Sequence, residues 1–443
     1  MRFSLGDVVR ATNGRLVRST GVTVDGVSID SRTLAPGQLF VPIVGARDGH
    51  EFIPAAVAAG AGAYLCADRG RVGIGHVAAV VVDDTVAALA DLGRLARARI
   101  DGPVVGVTGS VGKTTVKDLT AAALRPRFVT AAAERSFNNE LGVPLTLCNA
   151  ADGTDAAVVE MGARGIGHIA LLCSIATPDV GIVTRVAPAH LELFGTIDDV
   201  ARGKGELVEA LPADGLAVLN AEDERVAAMA GRTSARVLTY GRGGDLDAED
   251  VRLDDAARAT ATARTPWGSV ELRLPLAGVH MVGNGLAALA VAGAAGVDLE
   301  AAAAGIAAAA TSPWRMEVRR APSGLTVLND AYNASPVAVR AAFDALAALG
   351  AQRGGRAVAV LGAMAELGAT GEEEHRAIGA LAAERGLELV AVGTDRYGSG
   401  AQVVADLDEA VAALGELGAD DVVLVKASRV VGLERLAARL LER

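Results

Sequence analysis

Lysine is almost missing from this chain. Among 443 residues only Lys113, Lys117, Lys204 and Lys426 occur, so nearly all of the 42 basic side chains are arginines. Arginine keeps its proton, whereas lysine can become a neutral, reactive amine, so each of the four asks for a reason. Cysteine is as scarce. Cys66, Cys148 and Cys173 are odd in number and lack metal spacing, which excludes a disulfide framework and points to the reducing cytoplasm. Aromatics make up 3% of the chain against 53 glycines, so packing surfaces must be built from small side chains. The formal charge of −11 argues against nucleic-acid or anionic-membrane partners, whose phosphates need a basic face. The N-terminus has no basic-then-apolar signal. One uncharged run, 279–297, reads as a buried Ala/Gly-rich helix rather than a membrane span, since it carries His280 and Asn284.

What is present is organised around residues 103–118, P-V-V-G-V-T-G-S-V-G-K-T-T-V-K-D. The β-branched run 103–108 reads as a buried strand, Gly109-Ser110-Val111-Gly112 as a tight turn, and 113–124 as a helix. A glycine turn between strand and helix N-terminus lets backbone N–H groups converge on phosphate, with the helix dipole favouring the charge. Gly109, Ser110, Gly112, Lys113, Thr114 and Thr115 are therefore candidate ATP contacts. Lys113 would reach the β- and γ-phosphates, and the Thr114 hydroxyl would bind Mg²⁺. The usual first glycine of such loops is Val107 here, which leaves the shorter form T-G-S-x-G-K-T-T.

The length suggests about three domains. In residues 1–98, short strands (24–29, 39–44, 63–66, 79–82) alternate with helices (52–61, 84–99). Ser31 and Arg32, and then Gly49 and His50, lie in two polar loops. Turn chemistry accounts for both; the alternative is a binding domain for a polar, phosphorylated ligand. Residues 99–312 hold the nucleotide domain. There Glu160 ends a buried strand beside the phosphate loop, where a Mg²⁺ ligand belongs. His190 follows another strand's C-terminal end, and Lys204 stands at a glycine-flanked helix start, where a surface ion pair is the plain alternative. A hairpin is expected around Pro266-Trp267-Gly268, and 311–315 reads as a linker. From 313 to 443, strands at 325–329, 357–361, 387–392 and 422–425 alternate with helices, as in a doubly wound parallel sheet. No G-x-G-x-x-G follows its first strand, which argues against a dinucleotide. Lys117 and Lys426 fit surface-helix and strand-end roles equally well.

The motifs D-S-R-T, T-G-S-V-G-K-T-T-V-K-D, F-N-N-E-L-G-V-P, E-M-G-A, A-H-L-E-L-F-G, A-R-G-K-G-E-L, N-D-A-Y-N-A-S-P and V-L-V-K-A-S-R occur in this order, and with them the whole chain resembles the Mur ligase family. The resemblance implies an α/β fold of three domains. A central P-loop ATPase sheet would be flanked by a small N-terminal α/β substrate domain and a C-terminal Rossmann-like doubly wound domain. It implies a cytoplasmic, monomeric enzyme that adds D-alanyl-D-alanine to UDP-N-acetylmuramoyl-tripeptide through an acyl phosphate, using ATP and two Mg²⁺ ions. It also implies roles for particular residues. Glu160 and Thr114 would hold one ion; His190 and a carbamylated Lys204 would hold the second. Asn284, Arg315 and Asp330 would contact the nucleotide. Ser31, Arg32, Gly49 and His50 would take the UDP end, Asn138 and Asn139 the muramoyl-peptide path, and Tyr332 and Asn333 would belong to the substrate cluster. Arg185, Ala331, Ser335, Ala363 and Ala427 depart from the family's usual residues. Rival expectations are a sister amide ligase (another Mur-type or folylpolyglutamate-type enzyme) and a P-loop NTPase switch.

Overall fold

Six parallel strands form the middle of the chain. In the computed structural model, which describes residues 1–18, 21–133, 136–188 and 191–442, they run in the order Arg236–Tyr240, Leu216–Asn220, Val180–Val183, Val104–Thr108, Ala156–Glu160, Thr130–Ala132. Val104–Thr108 and Ala156–Glu160 are buried along their whole length, as parallel strands covered on both faces must be. The alternation of side chains divides the core in two. Val105, Val107 and Val158 pack with Val116 and Leu119 on one face, whereas Val104, Ala157 and Val159 pack with Leu172 and Leu207 on the other. The helix Lys113–Leu124 therefore lies on one side of the sheet and Ile197–Glu209 on the opposite side. Because Val104–Thr108 sits between Val180–Val183 and Ala156–Glu160, one sheet edge receives Gly109, Glu160 and Thr184 together.

The scarcity of large side chains has its reason in the packing around the phosphate-loop helix. The uncharged run becomes the helix Met281–Ala294, buried against Lys113–Leu124 and an antiparallel sheet of Asp247–Leu253, Arg258–Thr265 and Gly268–Ala277. A Cβ at Gly293 would lie 2.3 Å from the Trp267 ring, and one at Gly305 would lie 2.4 Å from the Ala122 carbonyl oxygen. Anything larger than glycine would push these elements apart. No described helix is long and apolar enough to cross a membrane.

The N-terminal residues form a five-stranded sheet with the order Arg15–Leu16, Ala78–Val81, Ala63–Cys66, Leu39–Phe40, Val27–Ser28. The single strand expected over 24–29 is two. Gly26, at φ +80°, turns the chain from Thr23–Asp25, paired with Arg2–Ser4, into Val27–Ser28 of the larger sheet. Asn149 fixes this turn by accepting from the Val27 N–H at 2.9 Å and donating to the Val27 carbonyl at 2.9 Å. The helix Thr85–Arg97, capped by Asp84, packs on Gly142–Cys148, and a Cβ at Gly93 would lie 2.6 Å from Pro144.

The C-terminal sheet has the order Glu317–Arg320, Thr326–Asn329, Val422–Lys426, Ala357–Leu361, Glu388–Val392, Gln402–Val404. It corrects the all-parallel expectation at one edge: Glu317–Arg320 is antiparallel, because the tight turn Ala321–Gly324 folds it straight back onto Thr326–Asn329. The segment before it is held rather than loose. Trp314 and Met316 have φ of +62° and +50°, Arg429 lies 4.6 Å over the Trp314 ring, and the Met316 N–H donates to Asp330 at 3.1 Å.

Candidate active site

The turn after Val104–Thr108 is shaped by contacts that exclude side chains. Gly109 has φ +145°, and a Cβ there would lie 1.9 Å from Thr184 Oγ1; Gly112 has φ +85° and faces Asn284. Thr184 Oγ1 donates to the Val111 carbonyl at 2.6 Å. The Ser110 N–H donates to the Arg185 carbonyl at 2.7 Å, and its hydroxyl donates to the Ala187 carbonyl at 2.9 Å. Ser110 thus uses its backbone donor and its hydroxyl to fix the neighbouring loop, which corrects its reading as a phosphate contact. Arg185, unusual for the family, serves here through its backbone carbonyl, its side chain making no hydrogen bond or ion pair among the described residues. Lys113 folds back on its own turn, donating to the Gly109 carbonyl at 2.7 Å, and makes no ion pair among the described residues.

Behind the turn lies a buried oxygen cluster. Thr114 Oγ1 donates to Glu160 Oε2 at 2.6 Å, and Asn138 Nδ2 donates to Glu160 Oε1 at 2.8 Å. Glu160 is 1% exposed. Ser136 Oγ stands 3.4 Å from Thr114 Oγ1 and accepts from Arg315 Nη2 at 3.2 Å. These are hard oxygen donors few in number, the set that suits Mg²⁺ retaining water and phosphate oxygens. Asn138 is accordingly a positioning group for Glu160. Asn139 caps Gly142–Cys148, accepting from the Gly142 N–H at 2.9 Å. Each side chain thus has a structural duty on one of its amide atoms, Asn138 through Nδ2 and Asn139 through Oδ1.

Lys204 does not begin a helix. It lies in the middle of Ile197–Glu209, 2% exposed, with no hydrogen bond or ion pair among the described residues. Its flanking glycines serve close packing: a Cβ at Gly203 would lie 2.8 Å from the Phe194 ring, and Gly205 lies under Arg232. Burial drives the Lys204 amine well below the ordinary lysine range, and nearby Lys113 adds to the effect. Lys113 is likewise lowered by burial, with Glu160 opposing. His190, the other expected ligand, lies outside the described residues.

At the C-terminal unit, Arg315 stacks 4.0 Å over the Tyr332 ring, and its Nε is buried without a hydrogen-bond partner among the described residues. Asp330 is paired with Lys426, whose Nζ also donates to the Asn333 carbonyl at 2.8 Å. Lys426 is buried, as is Lys117, which donates to the Ala133 carbonyl; the surface-helix alternative fails for both. Asn333 is exposed, and its Oδ1 accepts from the Ala334 N–H at 2.9 Å.

The N-terminal candidates separate. Arg32 is exposed and clamps Asp30 at 2.6 Å, holding that carboxyl down to about 2. Ser31 is half-buried beside it. His50 is 3% exposed, accepts from the Ala67 N–H at 3.0 Å through Nε2 and meets Asp48 at 2.7 Å through Nδ1. With both ring nitrogens occupied, His50 braces its loop instead of meeting a ligand. Gly49 is buried with Ile43 so close that a Cβ would lie 2.4 Å from its nitrogen, so it shapes the same loop. Sequence reading missed Ser136, Thr184 and the Asp330–Lys426 pair. The first two follow or end strands at the phosphate-loop edge, which was the available signal.

Comparison with known proteins shows the family. Residues 23–97 match the Mur ligase family, catalytic domain; 107–292 match the Mur ligase middle domain; and 314–429 match the Mur ligase, glutamate ligase domain. The chain belongs to the Mur ligase family. It is 42% identical to the UDP-N-acetylmuramoyl-tripeptide–D-alanyl-D-alanine ligase of Mycobacterium tuberculosis, over 94% of this chain and 91% of that protein. Among solved structures it is similar to MurF from Acinetobacter baumannii, with TM-score 0.89, 30% identity and coverage of 100% and 99% of the two chains. It is also similar to MurF from Thermotoga maritima in complex with ADP, with TM-score 0.82, 29% identity and coverage of 94% and 97%.

Proposed function

We propose that this chain is an ATP-dependent amide ligase that adds D-alanyl-D-alanine to UDP-N-acetylmuramoyl-tripeptide, a cytoplasmic step of peptidoglycan precursor synthesis. The observation that carries the chemistry is the Thr114–Glu160 contact of 2.6 Å directly behind the phosphate turn, with Lys113 and Lys204 unpaired among the described residues close by. The named relatives support the choice of substrates.

A carboxylate is a poor electrophile, so it must first gain a leaving group. Its oxygen attacks the γ-phosphorus of ATP, the bond to the β–γ bridging oxygen breaks, and ADP departs from an acyl phosphate. The neutral amine of the dipeptide then adds to the activated carbonyl and loses a proton, and inorganic phosphate leaves. Bringing carboxylate and triphosphate together costs about 4 kcal/mol per unit charge pair at ~4 Å and an intermediate effective dielectric. Lys113 is placed to unfold from the Gly109 carbonyl onto the β- and γ-phosphates. The N–H groups of 111–115 and the helix dipole would bind the same anion. Thr114 and Glu160, with Asn138 holding Glu160 in place, would bind Mg²⁺, which when bound offsets phosphate charge.

Lys204 supports a further assignment. A buried amine with no partner among the described residues is biased toward its uncharged form; its nitrogen would add to CO₂ with loss of a proton, and the carbamate, with His190, would hold a second Mg²⁺. Asn284 at Gly112, and Arg315 with Asp330 at the domain seam, are assigned to the nucleotide; Tyr332 and Asn333 to the dipeptide side; Ser31 and Arg32 to the uridine diphosphate end. We assign the units 1–98, 99–312 and 313–443, acting as a monomer, with 99–102 and 311–315 as the segments about which they close to exclude water.

The test is ADP release with Mg²⁺ and ATP, given the UDP-muramoyl-tripeptide with and without D-alanyl-D-alanine, followed by the product mass. Release that requires both substrates and yields a UDP-muramoyl-pentapeptide is expected. A different acyl or amine requirement would move the chain to a sister ligation, and turnover with ATP alone would sink the reading.

A further inference from the structure

A chain with net charge −11 carries a cleft in which half of the lining residues are arginines. The cleft, of about 560 Å³, lies where the antiparallel sheet of the central unit meets the C-terminal unit. Asp254, Asp255 and Arg258 come from the turn between Asp247–Leu253 and Arg258–Thr265. Arg319 and Arg320 come from the antiparallel edge strand, and Arg353 ends the helix Pro336–Arg353. Arg320 pairs with Thr326, the first residue of the neighbouring strand. The cleft is therefore at the opposite end of that sheet from Asn329, Asp330 and the nucleotide side.

The four guanidiniums are poorly satisfied. Arg258 approaches Asp254 only to 3.7 Å and Arg319 approaches Glu317 only to 3.9 Å. Arg353 gives a 3.3 Å bond to the Asp255 carbonyl, while its Nε is buried with no hydrogen-bond partner. The Arg320 side chain makes no hydrogen bond or ion pair among the described residues. The two aspartates lining the cleft, even with Glu317 beside it, do not balance four arginines, and loose exposed pairs contribute little. The unmet donors are planar forks, which match phosphate oxygens two at a time.

We propose that this cleft is a second anion site, separate from the phosphate loop, for a compact phosphate-bearing molecule. An anion there would relieve repulsion among the arginines and tie the central unit to the C-terminal unit, so its occupancy would stabilise the seam between them. The recognised chemistry is the phosphate group itself, whether free or esterified.

The experiment is calorimetric titration of the full chain, saturated with Mg²⁺ and ADP so that the phosphate loop is filled, with inorganic phosphate and, separately, with glycerol 3-phosphate. One further site per chain is expected for at least one of the two, and the tighter arm identifies free or esterified phosphate. Arg320→Gln, at an exposed position, should weaken it by about tenfold, and Arg320→Gln with Arg353→Gln should remove it. ADP affinity and the phosphate-free Tm of Arg320→Gln should stay unchanged, which separates loss of the site from loss of the fold. Absence of a second binding event in both arms, or one of equal affinity in Arg320→Gln, overturns the proposal.

Discussion

Two sheets of mostly parallel strands in this chain present polar side chains at their C-terminal edges, and the two edges are built to opposite ends. At the edge of the C-terminal sheet the charges satisfy one another: Lys426 meets Asp330 and the Asn333 carbonyl, and His375 accepts from the Met364 N–H at 2.9 Å and bonds the Gly371 carbonyl. At the edge of the central sheet they do not. Among the described residues Lys204 is buried and unpartnered, Lys113 rests on a carbonyl, and Glu160 meets only neutral donors. Burying an ionisable group without a counter-charge is costly, so such groups mark a site that a ligand completes. Lysines look alike in the sequence; what distinguishes structural from chemical ones is whether the protein already supplies the counter-charge.

The comparison is sharpened most by removing the unpaired groups. Lys113→Ala should lower kcat/KM by about 10³-fold, and Glu160→Gln by about 10²-fold with a raised Mg²⁺ requirement, both with near-native Tm. Steady-state kinetics over a Mg²⁺ series beside thermal melts checks this; a loss of fold in either variant would erase the distinction between the edges. At the self-satisfied edge the order reverses. Lys426→Met leaves the Asp330 carboxylate buried and uncompensated and should cost about 3–5 kcal/mol in urea unfolding. Lys426→Met combined with Asp330→Asn should recover much of that loss, and strict additivity would contradict the pairing.

Ser110→Ala removes a hydroxyl that holds the 184–187 loop and should cost about 1 kcal/mol, with a weaker effect on ADP affinity than Lys113→Ala. The smallest effect concerns pH. Burial holds His375 below the ordinary histidine range, so the neutral ring is the folded form. Its contribution is complete above about pH 6.5 and lost as pH falls through the lower folded value, since protonation removes the acceptor for Met364. Unfolding free energies from pH 8 to 5 should show this decline in the native chain and a flatter profile in His375→Gln.

Much of the fold could be read from patterning. Residues 113–124 and 357–361 are helix and strand where periodicity puts them, because each is long or apolar enough for one period to dominate. Asp247–Leu253 went unseen: it is a mostly exposed, acidic strand whose partner, not its own pattern, makes it a strand. The split at Gly26 was hidden for a related reason, since it depends on Asn149, remote in sequence. In the site, Thr114 and Glu160 were legible because each sits at a fixed offset from a strand end. The duties of Asn138, Asn139 and His50 were not, because amide and imidazole groups serve equally well as caps, braces or ligands until their partners are known. Lys204 was recognised as a position but placed at a helix start, since its flanking glycines suggest a break when they in fact admit Phe194 and Arg232.

The central claim is that the unpaired edge activates a carboxylate by phosphoryl transfer. The direct measurement is isotope transfer: UDP-muramoyl-tripeptide labelled with ¹⁸O in its reacting carboxylate, turned over with Mg²⁺, ATP and D-alanyl-D-alanine, with the products resolved by mass. One labelled oxygen in the released inorganic phosphate and the other in the new amide carbonyl is the predicted result. Label absent from phosphate, or found in AMP, would contradict it.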